Sequence, residues 1–125
     1  MRRAEQQPVC AVCGRSFEMR RKWAERGQHP RYCSERCRRR RTSKLDRTID
    51  ALILGRLAQI ASSASICPSE IARRIEPDDW RPLMKRVRQA ARRLARRDSL
   101  EICQGGQAID PDDVRGPIRL RAKRG

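Results

Sequence analysis

Apolar residues recur at helical spacing through most of the chain after residue 43. Between residues 43 and 60, leucine and isoleucine return every three or four positions, which predicts a helix capped by Ser43. The same spacing predicts a short second helix over residues 69–75 and a longer third helix over residues 80–97. Three positions of the third helix are predicted to be buried against the first two, namely Leu83, Val87 and Leu94.

A different pattern follows the third helix. Residues 100–110 predict a β-hairpin whose two-residue turn is Gly105-Gly106. Beyond it, Ile118 and Leu120 alternate with arginines, which predicts a last strand. Three helices followed by a hairpin predict a winged helix-turn-helix domain, with a plain helical bundle and a disordered tail as the alternative.

The first part of the chain differs in composition. Residues 1–43 contain four of the six cysteines, few aliphatic residues, and 13 basic against 4 acidic side chains. We therefore predict one domain over residues 1–43 and another over residues 44–125. A segment as small as the first cannot bury a large apolar core, and a metal commonly stabilises such segments inside cells.

The four cysteines of this segment form two close pairs. Two residues separate Cys10 from Cys13, three separate Cys33 from Cys37, and nineteen lie between the pairs. Such spacing is a zinc signature, because tetrahedral thiolate coordination takes one pair from each of two chain segments. Gly14 follows the first pair, where a tight knuckle needs a residue without a Cβ. This knuckle, followed by a helix that Ser34 caps, predicts a treble-clef zinc finger with one structural Zn²⁺. The overall fold class predicted is small α+β. Four unrelated buried thiols are the alternative.

Three more residues have ligand chemistry. His29 is predicted to be a loop residue rather than a ligand, because four thiolates complete a closed site. Cys67 and Cys103 have no partner at ligand spacing and are predicted to be small buried apolar residues. Cys67 also precedes Pro68 at a helix start, where the pKa of a thiol can be lowered.

Two stretches resemble known families. "CAVCGRSFEMRRKW" and "YCSERCRRRR", within residues 8–41, resemble a small bacterial zinc-binding family of unknown function. Ser16 stands where that family usually has proline and Met19 where it has tryptophan. "SICPSEIARRI", "DDWRPLMKRVRQAARRLA" and "GPIRLR" resemble a second uncharacterised bacterial family with a winged-helix-like fold, over residues 46–121. The resemblances imply zinc and a fold, and no activity.

Basic residues of the third helix recur at intervals of three and four, so they share the face opposite the apolar stripe. Like charges at that spacing destabilise an isolated helix by some tenths of a kcal/mol per pair, which favours a polyanion partner. A merely solvated face is the alternative. We expect Arg88 and Arg92 to be exposed. The predicted nucleic-acid-binding residues are Arg81, Lys85, Arg88, Arg92 and Arg96 of this helix, Arg38, Arg39, Arg40 and Arg41 after the cysteines, and Arg119 and Arg121 of the last strand.

The charge of the whole chain agrees with such a partner. The formal net charge is +16 over 125 residues, with a pI near 11.3. A charge of this size indicates binding to something negative. No stretch approaches the roughly 18 apolar residues of a spanning helix, and the N-terminus lacks the apolar run of a signal peptide. We therefore expect a cytoplasmic protein without a membrane partner, nucleoid-associated if it binds DNA.

These observations favour a nucleic-acid-binding protein. Duplex DNA is the favoured partner and a small regulator the favoured role, because only four aromatic residues are present to stack on unpaired bases. An RNA- or ribosome-associated factor and a protein-interaction adaptor remain alternatives. An enzyme is not expected, since a closed four-thiolate site leaves no open metal position and no Ser-His-acid set is suggested. No small-molecule substrate is expected either.

Overall fold

The structure is a computed structural model that describes residues 7–28 and 30–123. The described part of the chain has an α+β architecture with a four-stranded antiparallel sheet. Its helices are α1 (Arg21–Glu25), α2 (Glu35–Arg40), α3 (Lys44–Ala58), α4 (Pro68–Ile75) and α5 (Met84–Arg96). Its strands are β1 (Ser65–Ile66), β2 (Leu100–Gln104), β3 (Gln107–Ala108) and β4 (Arg119–Ala122).

Polar caps decide where α2 and α3 begin. The Ser34 hydroxyl accepts a hydrogen bond from the Cys37 amide at 3.3 Å, which confirms the predicted cap of α2. Ser43 caps α3 through a reciprocal pair of bonds with Asp46, and such a capping serine contributes about 1 kcal/mol. Both helix starts could therefore be predicted from the sequence.

Asp46 ties the two helices together. Its carboxylate is fully buried and accepts two hydrogen bonds from the Arg40 guanidinium, at 3.1 and 3.3 Å. Burial raises the pKa of Asp46, but the Ser43 amide and the Arg40 charge outweigh burial and hold that pKa below its usual value. The resulting stabilisation is present above the ordinary carboxyl pKa and is lost as the pH falls through the lowered one.

The apolar core forms between α3, α4, α5 and the sheet. Val87 and Leu94 of α5 are buried as predicted, whereas Leu83 is only half-buried at the helix entrance. That entrance is a 3-10 turn over Arg81–Leu83, so α5 begins later than the predicted residue 80. The other large core residues are Ile49, Ile53, Leu57, Ile66, Ile71, Leu100, Ile102, Ile118 and Leu120.

The sheet has the strand order β1-β4-β2-β3. The Gly105-Gly106 turn joins β2 to β3 as predicted, and both glycines have positive φ, as a type I′ turn requires. Strand β4 pairs with β2, for instance Ile102 opposite Leu120. Strand β1 was not among the predicted strands, because its two residues form a strand only by pairing with the distant β4.

Two other short elements were not predicted. Helix α1 has no buried residue and no side-chain cap, so it lacks the apolar periodicity by which sequence reasoning finds helices. A 3-10 turn over Pro111–Asp113 brings Asp112 beside the N-terminal part of the chain. Among the described residues, no helix has the length and apolarity needed to cross a bilayer.

Candidate functional site

The sulfur atoms of Cys10, Cys13, Cys33 and Cys37 form one cluster. All four Sγ atoms lie within 4.8 Å of one another. The distance from the Cys13 Sγ to the Cys33 Sγ is 3.8 Å, and from the Cys33 Sγ to the Cys37 Sγ 3.7 Å. The structure thus brings together the four cysteines that their spacing had paired.

These distances fit a shared metal ion. Sulfurs placed about 2.3 Å from a central ion at the corners of a tetrahedron lie roughly 3.8 Å apart. Disulfide sulfurs would instead be bonded at about 2.05 Å, and all four cysteines are free thiols. The cluster can therefore hold one metal ion with all four sulfurs as ligands.

The first pair of sulfurs lies on a tight knuckle formed by residues 10–14. The Gly14 amide donates to the Cys10 carbonyl at 3.0 Å, and the Val12 amide points at the Cys10 Sγ at 3.4 Å. Gly14 has φ +78°, a conformation that side chains disfavour, which agrees with the predicted need for glycine. Cys33 lies just before the Ser34 cap of α2, and Cys37 follows one turn later.

The thiols differ in their acidity. Burial raises the pKa of Cys10, but backbone amides of Cys13, Cys33 and Val12 outweigh burial and lower it to about 7. Burial raises the pKa of Cys13 to about 11 and also raises the pKa values of Cys33 and Cys37. Three of the four thiols thus need a metal ion's positive charge to become ligands at neutral pH.

Cys67 and Cys103 are not in this cluster. Cys103 is buried as predicted, while Cys67 is half-buried with its Sγ 3.0 Å from the Ser69 hydroxyl. Burial raises the pKa of Cys67, yet the Ser69 hydrogen bonds and nearby arginine charges lower it overall, as its position predicted. The prediction for His29 lies outside the described residues.

The prediction that Arg92 is exposed was wrong. Its side chain is buried with only 7% of the residue's surface exposed, and its Nε donates to the Cys13 carbonyl at 2.7 Å. Burial lowers the pKa of this guanidinium. Arg88, the other residue expected to be exposed, is half-buried and donates to the Gly116 carbonyl at 2.9 Å.

Two neighbours of Arg92 make the same kind of contact. Arg93 donates to the Val12 carbonyl at 2.7 Å and to the Asp50 carboxylate at 2.9 Å. Arg96 donates to the Gly14 carbonyl at 2.9 Å and to the Asp112 carboxylate at 2.5 Å. Three successive carbonyls of the knuckle thus accept from three arginines of α5, which we call the knuckle clamp. Neither a polyanion-binding face nor a solvated face describes this half of the helix.

Gly14 and Ser16 also contact the later part of the chain, at α5 and at the Pro111–Asp113 turn. A Cβ added at Gly14 would lie 2.6 Å from the Arg92 Cβ and 2.8 Å from the Arg93 backbone nitrogen, so only glycine allows this approach. The Ser16 amide and hydroxyl both donate to Asp112, at 2.9 and 2.5 Å. A proline, which the resembling pattern has at this position, has no amide hydrogen to donate.

The remaining predicted nucleic-acid-binding residues fall into two groups. Arg40 and Arg121 are half-buried and ion-paired, with Asp46 at 3.1 Å and with Glu101 at 2.8 Å. The others lie at the surface, and whether they contact nucleic acid stays a prediction. These exposed residues are Arg38, Arg39, Arg41, Arg81, Lys85 and Arg119.

Comparison with known families divides the chain into two parts, each matching a different family. Residues 46–123, more than half of the chain, match the family described as "Protein of unknown function (DUF3253)", and the chain belongs to that family. Residues 2–40 match a second family, described as "Uncharacterized protein conserved in bacteria (DUF2256)". The chain is therefore a fusion of two uncharacterised families, as the two resemblances implied. No curated protein matches it.

The close approach at Gly14 generates a stability prediction. Gly14→Ala should destabilise the protein by about 2 kcal/mol or more, from its positive φ and from the clash with α5. Gly55→Ala is a matched control, because Gly55 lies exposed in α3 with open space around its Cα, and the change should stabilise by about 0.5–1 kcal/mol. Urea denaturation measures both changes. Equal effects of the two substitutions would contradict the packing described here.

The sulfur cluster generates a metal-binding prediction. Cys37→Ser should abolish binding of one metal ion per chain, because it removes a ligand from the tetrahedron. Cys67→Ser makes the same chemical change outside the cluster and should leave the ion bound. Native mass spectrometry measures the metal content of both variants. An unchanged metal content in Cys37→Ser would exclude the four-sulfur site.

Proposed function

We propose that the chain is a zinc-containing protein that binds duplex DNA through the N-terminal half of α5. The observation that carries this proposal is the exposure of Arg81 in the turn before α5 and of Lys85 in its first turn, on a chain with a net charge of +16. The C-terminal half of the same helix is occupied by the knuckle clamp. A small DNA-binding regulator in the cytoplasm is the role we propose.

Zinc is the ion that best suits the cysteine cluster. Tetrahedral sites with four thiolates take zinc or iron, and closed structural sites of this kind are mostly zinc. A knuckle that contributes one pair and a helix start that contributes the other support a treble-clef arrangement. Zinc would supply positive charge that keeps the thiols deprotonated and fixes the knuckle against α5. Because four thiolates fill its coordination sphere, we propose no catalytic role for it.

The order of elements in residues 44–123 supports a winged helix-turn-helix. Helices α3, α4 and α5 are followed by the β2–β3 hairpin, and β4 returns beside β2. In that fold the helix after the turn enters the major groove, and residues at its N-terminal end contact bases. Here that helix is α5, and the end that remains at the surface is its N-terminal one.

Aromatic contacts fix part of this surface. Two guanidinium groups lie over the Trp80 ring, with the Arg73 Cζ 4.4 Å and the Arg81 Cζ 4.7 Å from the ring centroid. Such cation–π contacts contribute about 0.5–1 kcal/mol each at exposed sites. They orient Arg81 beside the entrance of α5, which reduces the entropy lost when a phosphate binds there. Arg119 on β4 is also exposed, and we assign it to the proposed wing.

The proposal predicts how salt changes the affinity. Each neutralised phosphate releases counterions, so log affinity for a duplex should fall with log salt by about 0.9 per contact. The double variant Arg81→Ala/Lys85→Ala should bind more weakly and flatten that slope by about two units. Fluorescence anisotropy with a labelled 20-base-pair duplex of mixed sequence, measured from low to high salt, gives both quantities.

A matched pair on another helix serves as the control. Lys44 and Arg47 are exposed on α3, so Lys44→Ala/Arg47→Ala removes the same two charges from a different helix. If this control changes the slope as much as the α5 variant does, binding is a general effect of net charge. No binding of the native chain to the duplex at low salt would refute the proposal, and tighter binding to an RNA hairpin would favour an RNA-associated factor.

A further inference from the structure

We infer that a groove beside the cysteine cluster binds single-stranded nucleic acid, at a site separate from the duplex-binding face proposed for α5. The groove runs between α1 and the start of α2. It contains two of the four aromatic residues of the chain, Trp23 and Tyr32. Its basic wall consists of Arg20, Arg31, Arg38, Arg39 and Arg41.

The size of the groove suits a strand more than a small molecule. Its volume is about 1220 Å³ and it is open to solvent along one side. Pockets that enclose a small ligand usually measure about 300–1,000 Å³. An elongated chain of nucleotides can cross such an open groove, whereas a single metabolite would be left largely in solvent.

The two aromatic rings are held in place and partly accessible. Trp23 is half-buried, with its ring edge-to-face against Phe17 at a centroid distance of 6.3 Å. Tyr32 is half-buried against the cysteine cluster, so the metal site itself positions this ring. Rings fixed in this way can stack on unpaired bases without losing much conformational freedom of their own.

Guanidinium groups already lie over both rings. The Arg20 Cζ is 4.9 Å from the Trp23 centroid, and the Arg31 Cζ is 5.9 Å from the Tyr32 centroid. Proteins that recognise unpaired bases use aromatic rings and arginine planes side by side as stacking surfaces. The groove thus combines base-stacking surfaces with charges for the phosphates that connect the bases.

The charge balance of the groove leaves its arginines available. Among the described residues that line the groove, Glu35 is the single acidic one, against five arginines. It pairs with Arg38 and Arg39 at 3.5 Å, but the side chains of these arginines remain 65% and 80% exposed. Exposed pairs of this kind contribute little, so phosphates can replace Glu35 as their partner.

Single strands fit these observations better than duplexes or acidic peptides. In a duplex the base faces are stacked on one another, so Trp23 and Tyr32 would have no base to contact. An acidic peptide would use the arginines and leave the rings without a role. The side-by-side placement of rings and arginines therefore favours unpaired nucleotides.

The test uses the full metal-loaded chain and the oligonucleotide dT12. In a Trp80→Phe background Trp23 is the remaining tryptophan, and dT12 should quench its fluorescence if bases stack on the ring. Trp23→Leu, followed by anisotropy of labelled dT12, should weaken binding about tenfold or more. Tyr32→Phe keeps the second stacking ring and should bind normally.

Charge variants separate this site from the duplex-binding face. Arg38→Ala/Arg39→Ala should weaken dT12 binding at least fivefold and leave the 20-base-pair duplex unaffected, whereas Arg81→Ala/Lys85→Ala should do the reverse. Arg20→Ala should also weaken dT12 binding, while Arg26→Ala, an exposed arginine outside the groove, should not. Because Arg20 is exposed, its variant remains informative even if Trp23→Leu loses the metal.

Two results would overturn the inference. One is unchanged dT12 affinity in both Arg20→Ala and Arg38→Ala/Arg39→Ala, which would place single-strand binding elsewhere. The other is equal binding of dT12 and of polyglutamate, with no quenching of Trp23, which would make the groove a general anion surface. Failure of duplex binding alone would count against the proposed function and would leave this inference standing.

Discussion

Three buried or half-buried guanidinium groups against three backbone carbonyls hold this protein together. Burying a guanidinium costs less free energy when its N–H groups find acceptors. Arg92, Arg93 and Arg96 find theirs in the carbonyls of residues 12–14, and two of them add an aspartate. The knuckle that presents those carbonyls is the same one that presents two of the four sulfurs. The geometry of the sulfur cluster and the packing of α5 therefore depend on one short segment, so a change at one should also alter the other.

The knuckle clamp also divides α5 into two halves that lie in different environments. The knuckle and the residues around it cover the C-terminal half, so its arginines are structural although their spacing resembles that of a binding face. The turn that leads into the helix keeps Arg81 at the surface, and the first turn of the helix keeps Lys85 there. A partner of α5 would therefore approach this end of the helix, beside Trp80. A helix that is basic along its whole sequence thus places its basic residues in two different environments.

Sequence reasoning succeeded where the cause of a structure is local. The cysteine spacing, the Ser34 and Ser43 caps and the Gly105-Gly106 turn depend on residues a few positions apart, and each was predicted. The burial of Arg92 depends on a backbone carbonyl about 80 residues away. Because every residue has a carbonyl, no pattern of side chains in the sequence shows which carbonyls will accept from a distant arginine. Strand β1 depends in the same way on distant β4. In the sequence, Gly14 was the one sign that the knuckle packs closely against α5, but it was interpreted only as a requirement of the knuckle itself.

The placement of acids explains how so basic a chain can fold and still present basic surfaces. Asp46, Asp50 and Asp112 all lie at the junction of the two modules, where they accept from Arg40, Arg93 and Arg96. Repulsion among the inward-facing arginines is therefore compensated where the dielectric is low and the repulsion would cost most. At the surface water and salt screen the remaining arginines, so their mutual repulsion is tolerable until a polyanion replaces the counterions. The excess positive charge is thus left on the outside, where a binding partner can reach it.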